Sequence, residues 1–213
     1  MTESSAMQRL GILGGTFDPI HHAHLAIAEE ARVVLGLDQV IFVLAAQQPF
    51  KGHHWTTAAH RLAMVEAAVA PNPHFVVSQL ELQRAGPSYT ADTLESLHDI
   101  YPNAQFWFIL GADAVRWLPR WYAIERLARL TRFAVVARPG ITLDLTQVEA
   151  EQPSLPIQID PISGSNLDIS STEIRARIAA DLPIRYLVTD AVATYIEREQ
   201  LYQTQKSKGK NQN

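Results

Sequence analysis

The sequence predicts an α/β fold, in which a doubly wound parallel sheet is followed by a helical C-terminal part. Short apolar runs rich in Val, Ile and Phe alternate with amphipathic helical segments over the first two thirds of the chain. The strand-like runs are apolar throughout, as is typical of strands covered on both faces. Right-handed crossovers between such strands place helices on both sides of an open sheet.

The predicted strands are short and punctuated by turn residues. In chain order they are LGILGG, QVIFVLAA, HFVVSQLEL, QFWFILGA and RFAVVARPG, and a brief further candidate is IQID. In an open parallel sheet, ligands bind outside the carboxyl ends of the strands. We therefore expect the functional residues to follow these runs rather than to lie within them.

Three helices are predicted between the strands, because each segment places its apolar side chains on one stripe. They are AHLAIAEEARVVLG, TTAAHRLAMVEAAV, for which Thr56 or Thr57 is a suitable N-cap, and TADTLESLHDIY. Residues 142–161 are predicted to form a variable surface connection, and the segment from 163 to 202 is predicted to be helical. We expect residues 1–203 to form a single domain and the polar residues 204–213 to be a disordered tail.

Composition excludes several classes of function. The chain has 213 residues, no cysteine and a formal net charge of -4. It therefore has no thiolate nucleophile, disulfide or cysteine-bound zinc. Its apolar runs are far shorter than the roughly 18 residues of a membrane span, and the N-terminus lacks the pattern of a signal peptide. We expect a cytoplasmic protein without a membrane or nucleic-acid partner.

The first motif is GGTFDPIHHAHL, residues 14–25, at the turn between the first strand and the first helix. Gly14 and Gly15 allow close approach of a ligand to the backbone, and His21 and His24 share one face of a helix that has begun by then. Exposed N–H groups at a helix start attract anions. The motif matches neither the dinucleotide fingerprint nor a Walker loop. It favours a phosphate site, while a structural turn or a metal site stays open.

The second motif is ISSTEIR, residues 169–175, before a predicted C-terminal helix. Ser170 and Glu173 fit a capping box, which alone would explain the hydroxyl groups. Arg175 adds a permanent cation near the same helix start. Two such helix starts can hold one triphosphate from two sides. Because neither motif contains an activated nucleophile, they favour direct transfer between bound substrates by positioning and charge neutralisation.

Five motifs in order resemble the bacterial nicotinate-nucleotide adenylyltransferases of the HxGH nucleotidyltransferase superfamily. They are GGTFDPIH followed by His24, GPSYTADTLESL, GADAVRWLPRW, ARPG and ISSTEIR, within a resemblance that extends from Leu10 to Tyr202. The two phosphate motifs alone would also fit pantetheine-phosphate or cytidylyl transferases. SYTADT and the region from Trp117 to Trp121 favour the pyridine-nucleotide branch, and the resemblance implies a Rossmann-like fold.

The resemblance also implies a reaction, in which the adenylyl group of ATP passes to nicotinate mononucleotide and gives deamido-NAD and pyrophosphate in NAD biosynthesis. The implied catalytic residues are His21, His24 and Arg175. The implied ATP-binding residues are Gly14, Gly15, Thr16, Phe17, His21, His24, Gly111, Asp113, Ser171, Thr172 and Arg175. The implied pyridine-nucleotide residues are Lys51, Tyr89, Thr90, Trp117 and Arg138. Mg²⁺ is expected to arrive with ATP, without a dedicated protein site.

Two positions depart from the family's pattern. Ala23 stands where the motif has a glycine, and its methyl group could narrow the approach of a phosphate. Gln47 and Gln48 replace part of the usual Pro- and His-rich loop, in which Lys51 keeps the usual lysine. These departures leave open how the substrates are held, but not the reaction class.

Alternative functions stay open at this point. An enzyme of the same class could use nicotinamide mononucleotide or phosphopantetheine, and the sequence does not decide between a pyridine carboxylate and its amide. A protein of another class, an inactive nucleotide-binding sensor, should have lost the residues of the two phosphate motifs. Homo-oligomer formation is also undecided. No role is assigned to His53, His54, His60 and His74.

Overall fold

The central feature of the computed structural model is an all-parallel six-stranded sheet with the strand order β3-β2-β1-β4-β5-β6. The structure describes residues 7–46, 55–84, 86–137, 157–164 and 167–203. The strands are β1 (Gln8–Gly15), β2 (Gln39–Leu44), β3 (Phe75–Ser78), β4 (Ala104–Gly111), β5 (Arg132–Ala137) and β6 (Ile159–Ser163). The predicted doubly wound α/β class is confirmed, and IQID leads into the sixth strand.

Helices cover both faces of this sheet. They are α1 (His22–Leu35), α2 (Ala58–Val69), α3 (Thr90–Ile100), the short α4 (Ala112–Val115), a 3₁₀ helix (Leu118–Arg120), α5 (Ile124–Leu130), α6 (Ser171–Ala179) and α7 (Asp190–Arg198). Leu13 and Phe42 pack in one core with α1, α2, α6 and α7. Ile12 and Ile41 pack in a second core with α3 and α5. Burial on both faces explains why the strands are continuous apolar runs.

The predicted helix starts are confirmed where hydroxyl side chains cap them. The Thr57 hydroxyl accepts a hydrogen bond from the His60 N–H at 3.3 Å. The Ser170 hydroxyl accepts one from the Glu173 N–H at 3.1 Å. Both bonds satisfy backbone donors that a helix start leaves unpaired. The chain therefore enters α2 and α6 at defined positions, and α6 is the helix of the second phosphate motif.

Two local predictions need correction. The run HFVVSQLEL was predicted as one strand, but β3 ends at Ser78 and residues 79–84 form a turn, in which the Leu82 N–H donates to the Gln79 carbonyl at 2.9 Å. Sequence analysis also placed no helix between β4 and β5, where the structure has α4, the 3₁₀ helix and α5. Among the described residues, no helix is long and apolar enough to cross a membrane.

The strand order opens a crevice at the carboxyl ends of β1 and β4. The chain proceeds from β1 outward to β2 and β3, then returns to add β4, β5 and β6 on the other side. Pairing between β1 and β4 ends at Ile12 and Phe108, although β1 continues to Gly15 and β4 to Gly111. Reversal of the strand order at this point is where open α/β sheets bind ligands.

Candidate active site

The backbone conformation of the loop after β1 depends on Gly15 and Phe17. Phe17 is buried and has a φ of 50°, in the left-handed region that side chains other than glycine rarely adopt. Its ring lies over Gly15, where a Cβ atom would come within 2.7 Å of the ring. Glycine at this position therefore lets Phe17 fold back against the loop and leaves the Gly14–Gly15 backbone accessible.

The two predicted histidines lie together at the start of α1. His21 is the N-cap residue, and the rings of His21 and His24 stack with their centroids 3.7 Å apart. The His21 N–H donates to Nδ1 of His24 at 3.3 Å. Because Nδ1 accepts this bond, a neutral His24 carries its proton on Nε2. The hydrogen bond therefore fixes which ring nitrogen of a neutral His24 carries the proton.

His21 is held neutral by its surroundings. Burial, with a smaller contribution from the nearby charge of His22, lowers the pKa of His21 from its ordinary 6.5 to about 4. At neutral pH the His21 ring is therefore an uncharged imidazole. A neutral ring next to a helix N-terminus offers one N–H donor without repelling the neighbouring imidazole.

The second motif lies directly against the first loop. The Ser171 hydroxyl donates to the Pro19 carbonyl at 2.8 Å, and Arg175 Nη1 donates to the Asp18 carbonyl at 2.7 Å. Arg175 Nη2 also donates to the Thr172 hydroxyl at 3.3 Å. The structure thus brings together both motifs, which are about 150 residues apart in the sequence. The guanidinium group is fixed beside the start of α1.

Several polar atoms of this arrangement have unused hydrogen-bonding capacity. Within the described part of the chain, Thr16 Oγ1, His21 Nδ1 and Arg175 Nε are buried and have no hydrogen-bond partner. Buried polar groups in native proteins are usually paired, so a cluster of exceptions needs an explanation. An anion held between the two motifs would supply acceptors at this place.

A buried arginine, which sequence analysis missed, forms hydrogen bonds to the backbone of the loop after β1. Arg61 on α2 is 1% exposed, and its Nη1 donates to the carbonyls of Thr16 and Ala45, both at 2.8 Å. Burial lowers the pKa of the guanidinium, and the charge of Asp18 opposes this effect. A signal was present in the sequence, because Arg61 occupies the buried helical stripe that continues with Met64.

Asp18 joins three distant parts of the chain and was also missed. Its carboxylate is 3% exposed and accepts hydrogen bonds from the backbone N–H groups of Trp55 and Thr56 at 2.8 and 3.3 Å. The Thr56 hydroxyl donates at 2.8 Å and the Tyr202 hydroxyl at 2.6 Å. With these donors a buried carboxylate is satisfied without a salt bridge. No short motif in the sequence indicates this contact, because Tyr202 is 184 residues away.

A cavity of about 340 Å³ lies in the crevice and reaches Gly14 and Gly15. Tyr89, the N-cap residue of α3, and Thr90, its first residue, both line the cavity. The Tyr89 ring lies 4.2 Å from that of Tyr122, measured between centroids. The full lining is Ile12, Gly14, Gly15, Val43, Ala45, Glu81, Ser88, Tyr89, Thr90, Thr93, Leu94, Phe108, Leu110, Trp121, Tyr122 and Leu127. Aromatic side chains and the glycines of the first phosphate motif thus border the same cavity.

The structure separates the two tryptophans of the GADAVRWLPRW segment. Trp121 lines the cavity and packs edge-on against Phe108, with ring centroids 5.7 Å apart. Trp117 is 47% exposed, and its ring centroid lies 5.3 Å from the Cζ atoms of both Arg116 and Arg120. It is not part of the cavity lining. Of the two indoles, it is therefore Trp121 that borders the cavity.

The cavity wall also contains a buried carboxylate that sequence analysis missed. Glu81 is 7% exposed and accepts a hydrogen bond from the Thr93 hydroxyl at 2.8 Å. Arg84 Nη1 reaches the same hydroxyl at 3.5 Å. These contacts fix the turn after β3 to the first turns of α3, on which Thr90 lies.

Of the remaining residues singled out in the sequence, the structure describes Gly111 and Ala23. Gly111 is exposed at the end of β4, with nothing within 4 Å of where its Cβ would be. Ala23 is half-buried in the first turn of α1. The side chain of Asp113 lies outside the described residues, as do Lys51, Arg138, Gln47, Gln48, His53, His54 and the tail 204–213.

The histidines without a predicted role include two that the structure describes. Nδ1 of His60 lies 3.0 Å from the Tyr195 hydroxyl. Nδ1 of His74 lies 3.0 Å from the Asp38 carbonyl. Neither lines the cavity. Both bonds connect neighbouring segments of the chain, which is a structural role.

Comparison with known proteins agrees with this geometry. Residues 12–177 match the family model described as cytidylyltransferase-like. A protein of Herpetosiphon aurantiacus named "Probable nicotinate-nucleotide adenylyltransferase" is 53% identical over 196 residues, which cover 92% of this chain and 99% of the relative. A protein of the same name from Roseiflexus sp. (strain RS-1) is 52% identical over 194 residues, or 91% and 97% of the two chains.

A solved structure shows the same fold at lower identity. It is a Plasmodium falciparum nicotinic acid mononucleotide adenylyltransferase in complex with NaAD, with a TM-score of 0.73 and 22% identity, over 92% of this chain and 97% of that one. The family match includes both phosphate motifs, and the relatives are about half identical over more than nine tenths of the chain. The chain therefore belongs to the nicotinate-nucleotide adenylyltransferases, within the cytidylyltransferase-like family.

Proposed function

We propose that the enzyme transfers the adenylyl group of ATP to nicotinate mononucleotide, giving deamido-NAD and pyrophosphate in NAD biosynthesis. One observation carries the proposal: Gly14 and Gly15 of the first phosphate motif line the aromatic cavity, and the second phosphate motif is hydrogen-bonded to the same loop at Asp18 and Pro19. A mononucleotide in the cavity and a triphosphate between the motifs would therefore meet at these glycines. The names of the relatives support the same reaction.

In the proposed reaction, an oxygen of the mononucleotide 5′-phosphate attacks the α-phosphorus of ATP. The new bond joins that oxygen to the α-phosphorus, and the bond from the α-phosphorus to the bridging oxygen breaks, so that pyrophosphate leaves with its electron pair. No protein atom becomes covalently attached. Catalysis then depends on holding both groups in line and on donors directed at the phosphate oxygens.

The donors in this scheme are His21, His24 and Arg175. Nδ1 of His24 accepts the hydrogen bond from the His21 N–H, and we assign the Nε2–H of His24 to the transferring phosphate. Arg175, with Ser171 and Thr172, is assigned to the β- and γ-phosphates that leave. The Gly14–Gly15 backbone, Thr16 and Phe17 line the triphosphate site. The unpaired buried atoms of Thr16, His21 and Arg175 are the observation that supports this assignment.

The pyridine ring is assigned to the aromatic end of the cavity. Trp121, Tyr89 and Tyr122 provide ring faces and edges there. The Thr90 hydroxyl and the N-terminus of α3 would face the nicotinate carboxylate, because a helix start favours a negative charge. The roles of Lys51, Trp117 and Arg138 toward the mononucleotide, and of Gly111 and Asp113 toward adenosine, rest on the motif resemblance alone.

A divalent ion is part of the proposal, and we take it to be Mg²⁺. Among the described residues, no group of three or more His, Asp or Glu side chains could hold a metal ion. We therefore propose that the ion is coordinated mainly by phosphate oxygens and water, which is how Mg²⁺ usually accompanies nucleotides. When bound, the ion would neutralise charge on the triphosphate. We also propose that the enzyme works in the cytoplasm, without a nucleic-acid or membrane partner.

The deciding experiment compares substrates. Pyrophosphate release from ATP should require a mononucleotide, and kcat/KM for nicotinate mononucleotide should exceed that for nicotinamide mononucleotide by about 5- to 150-fold. The reason is that the amide leaves one buried donor unpaired, at a cost of about 1–3 kcal/mol. Phosphopantetheine should be inactive. Thr90→Val should reduce the preference mainly by harming the acid substrate.

Other outcomes would point elsewhere. Equal kcat/KM values, or a preference for the amide, would contradict the choice of nicotinate but keep the adenylyl transfer. Turnover of phosphopantetheine would contradict the aromatic cavity as a pyridine site. ATP binding without turnover of any of the three acceptors would indicate a nucleotide-binding sensor.

A further inference from the structure

The last described residues of the chain turn back onto the first loop. After α7 ends at Arg198, Gln200 and Tyr202 adopt left-handed φ values of 49° and 63°. Leu201 between them is 8% exposed, and its N–H donates to the Ile196 carbonyl at 3.0 Å. This reversal directs the Tyr202 side chain toward the start of α1 instead of continuing the helix into solvent.

The Tyr202 hydroxyl reaches a residue from which both phosphate motifs are held. It donates to Asp18 Oδ1 at 2.6 Å. The carbonyl of the same Asp18 accepts from Arg175 Nη1 at 2.7 Å, and the next carbonyl, that of Pro19, accepts from the Ser171 hydroxyl at 2.8 Å. The orientation of Asp18 therefore sets the positions of two carbonyls, and through them that of the Arg175 guanidinium.

We propose that Tyr202 is a positioning residue for the triphosphate site: it fixes Asp18, and thereby Arg175, without contacting the nucleotide. This inference rests on the assignment of ATP to the two motifs. The donors to Oδ1 are the hydroxyls of Tyr202 and Thr56. Loss of one of the two would leave a buried carboxylate oxygen with half of its donors.

The chemistry of the pair suits a permanent contact. Burial, together with the hydrogen bond to Asp18, raises the pKa of the Tyr202 hydroxyl. The hydroxyl therefore keeps its proton at any pH used for an assay, and Asp18 Oδ1 keeps a donor. Arg61, 1% exposed, adds a positive charge to the same buried region. A short bond to a charged acceptor of this kind restricts geometry more strongly than a neutral one.

The test is Tyr202→Phe, which keeps the ring and removes the hydroxyl. ATP affinity, measured by calorimetry without a second substrate, should fall about 10-fold, the typical effect of losing a hydrogen bond to a charged group. In the full reaction, KM for ATP should rise and kcat should fall, while KM for nicotinate mononucleotide stays within about twofold. This pattern, in which ATP binding weakens and mononucleotide binding does not, is expected if Arg175 is displaced. A destabilised fold would affect both substrates.

A matched control exists on α7. The Tyr195 hydroxyl lies 3.0 Å from Nδ1 of His60 and makes no bond to the first loop. Tyr195→Phe removes a hydroxyl from the same region of the chain and should leave ATP affinity within about twofold of wild type. If both variants weaken ATP binding equally, the effect is general destabilisation and the inference is wrong.

A double-mutant cycle tests the route through Asp18. If Tyr202 acts by positioning Arg175, Tyr202→Phe should weaken ATP binding in the wild type but have little further effect in Arg175→Ala. Additive effects would overturn the inference, as would unchanged ATP affinity in Tyr202→Phe. Because ATP binding is measured alone, these outcomes remain distinct from failure of the enzyme to use nicotinate mononucleotide.

Discussion

Replacing Gly15 with alanine should damage the site through one contact. A Cβ at this position would lie 2.7, 2.8 and 3.1 Å from Cε1, Cζ and Cδ1 of Phe17. Carbon atoms pack favourably at about 3.5–4.0 Å, so the ring would have to move by roughly 1 Å. Phe17 is 2% exposed, and its neighbours include His24, whose ring centroid is 5.1 Å away, and Phe42. Movement of the Phe17 ring should therefore also displace the His24 ring.

The size of the effect follows from these contacts. Overpacking of a buried site costs about 1–3 kcal/mol, which corresponds to a decrease in Tm of about 2–12 °C for a chain of this length. A shift of about 1 Å in a positioned catalytic group lowers the rate by about 100-fold. The Gly15→Ala enzyme should therefore have a lower Tm by differential scanning calorimetry. Its kcat should fall by about 100-fold, which is more than the loss of folded protein at the assay temperature would explain.

Two further variants make the reasoning refutable. Phe17→Leu in the Gly15→Ala background removes the atoms that clash, so it should recover part of both Tm and kcat. Gly111→Ala, where a Cβ has nothing within 4 Å, should leave Tm unchanged. A Gly15→Ala enzyme with wild-type Tm and kcat would show that the ring adapts and that the contact does not define the loop.

Further variants test individual roles in the site. His24→Ala should lower kcat by about 100-fold or more while the enzyme stays folded by circular dichroism, because a preorganised donor is lost; wild-type turnover would refute the role. Arg175→Ala should raise KM for ATP far more than KM for the mononucleotide, and Arg175→Lys should not restore it, since lysine lacks the planar fork; equal effects on both KM values would contradict the assignment. Trp121→Ala should raise KM for the mononucleotide about 10-fold or more, and Trp117→Ala, at an exposed position, should have a smaller effect; the reverse order would exclude the cavity as the pyridine site. His21→Gln should flatten the pH dependence of the free energy of unfolding in urea titrations. The folded-state pKa of about 4 lies below the ordinary 6.5, so the stability associated with neutral His21 is intact above pH 6.5 and is lost as pH falls toward 4; parallel curves for wild type and variant would contradict the lowered pKa.

Most of the fold could be predicted because strands buried on both faces are continuous apolar runs. The exception after Ser78 has a physical reason. Leu80 and Leu82 alternate with polar residues as in a strand, but Leu80 packs against the core beside α3 and Leu82 against the core beside α1. A strand would place both on one face, whereas a turn can direct them to opposite cores. Alternation of apolar and polar residues over so short a segment does not distinguish a strand from a turn.

Within the site, local motifs were predictable and tertiary contacts were not. His21 and His24 lie close in sequence, so their proximity follows from helical geometry. Trp117 and Trp121 have the spacing of one helical face, but the 3₁₀ helix between them leaves Trp121 with an extended backbone, φ -71° and ψ 141°. The two indoles therefore diverge. The contact between Asp18 and Tyr202 depends on the path of the whole chain, which no local pattern encodes.

The three unpaired buried atoms at the phosphate motifs couple the stability of the fold to the proposed binding of a triphosphate. Each unmet buried group costs the free enzyme about 1–3 kcal/mol of folding stability, and a triphosphate bound as proposed would remove that cost. Ligand present at 100 times its Kd adds about 2.7 kcal/mol to the free energy of unfolding. Cellular proteases act on unfolded chains. The purified enzyme should therefore resist proteolysis better in the presence of ATP than in its absence.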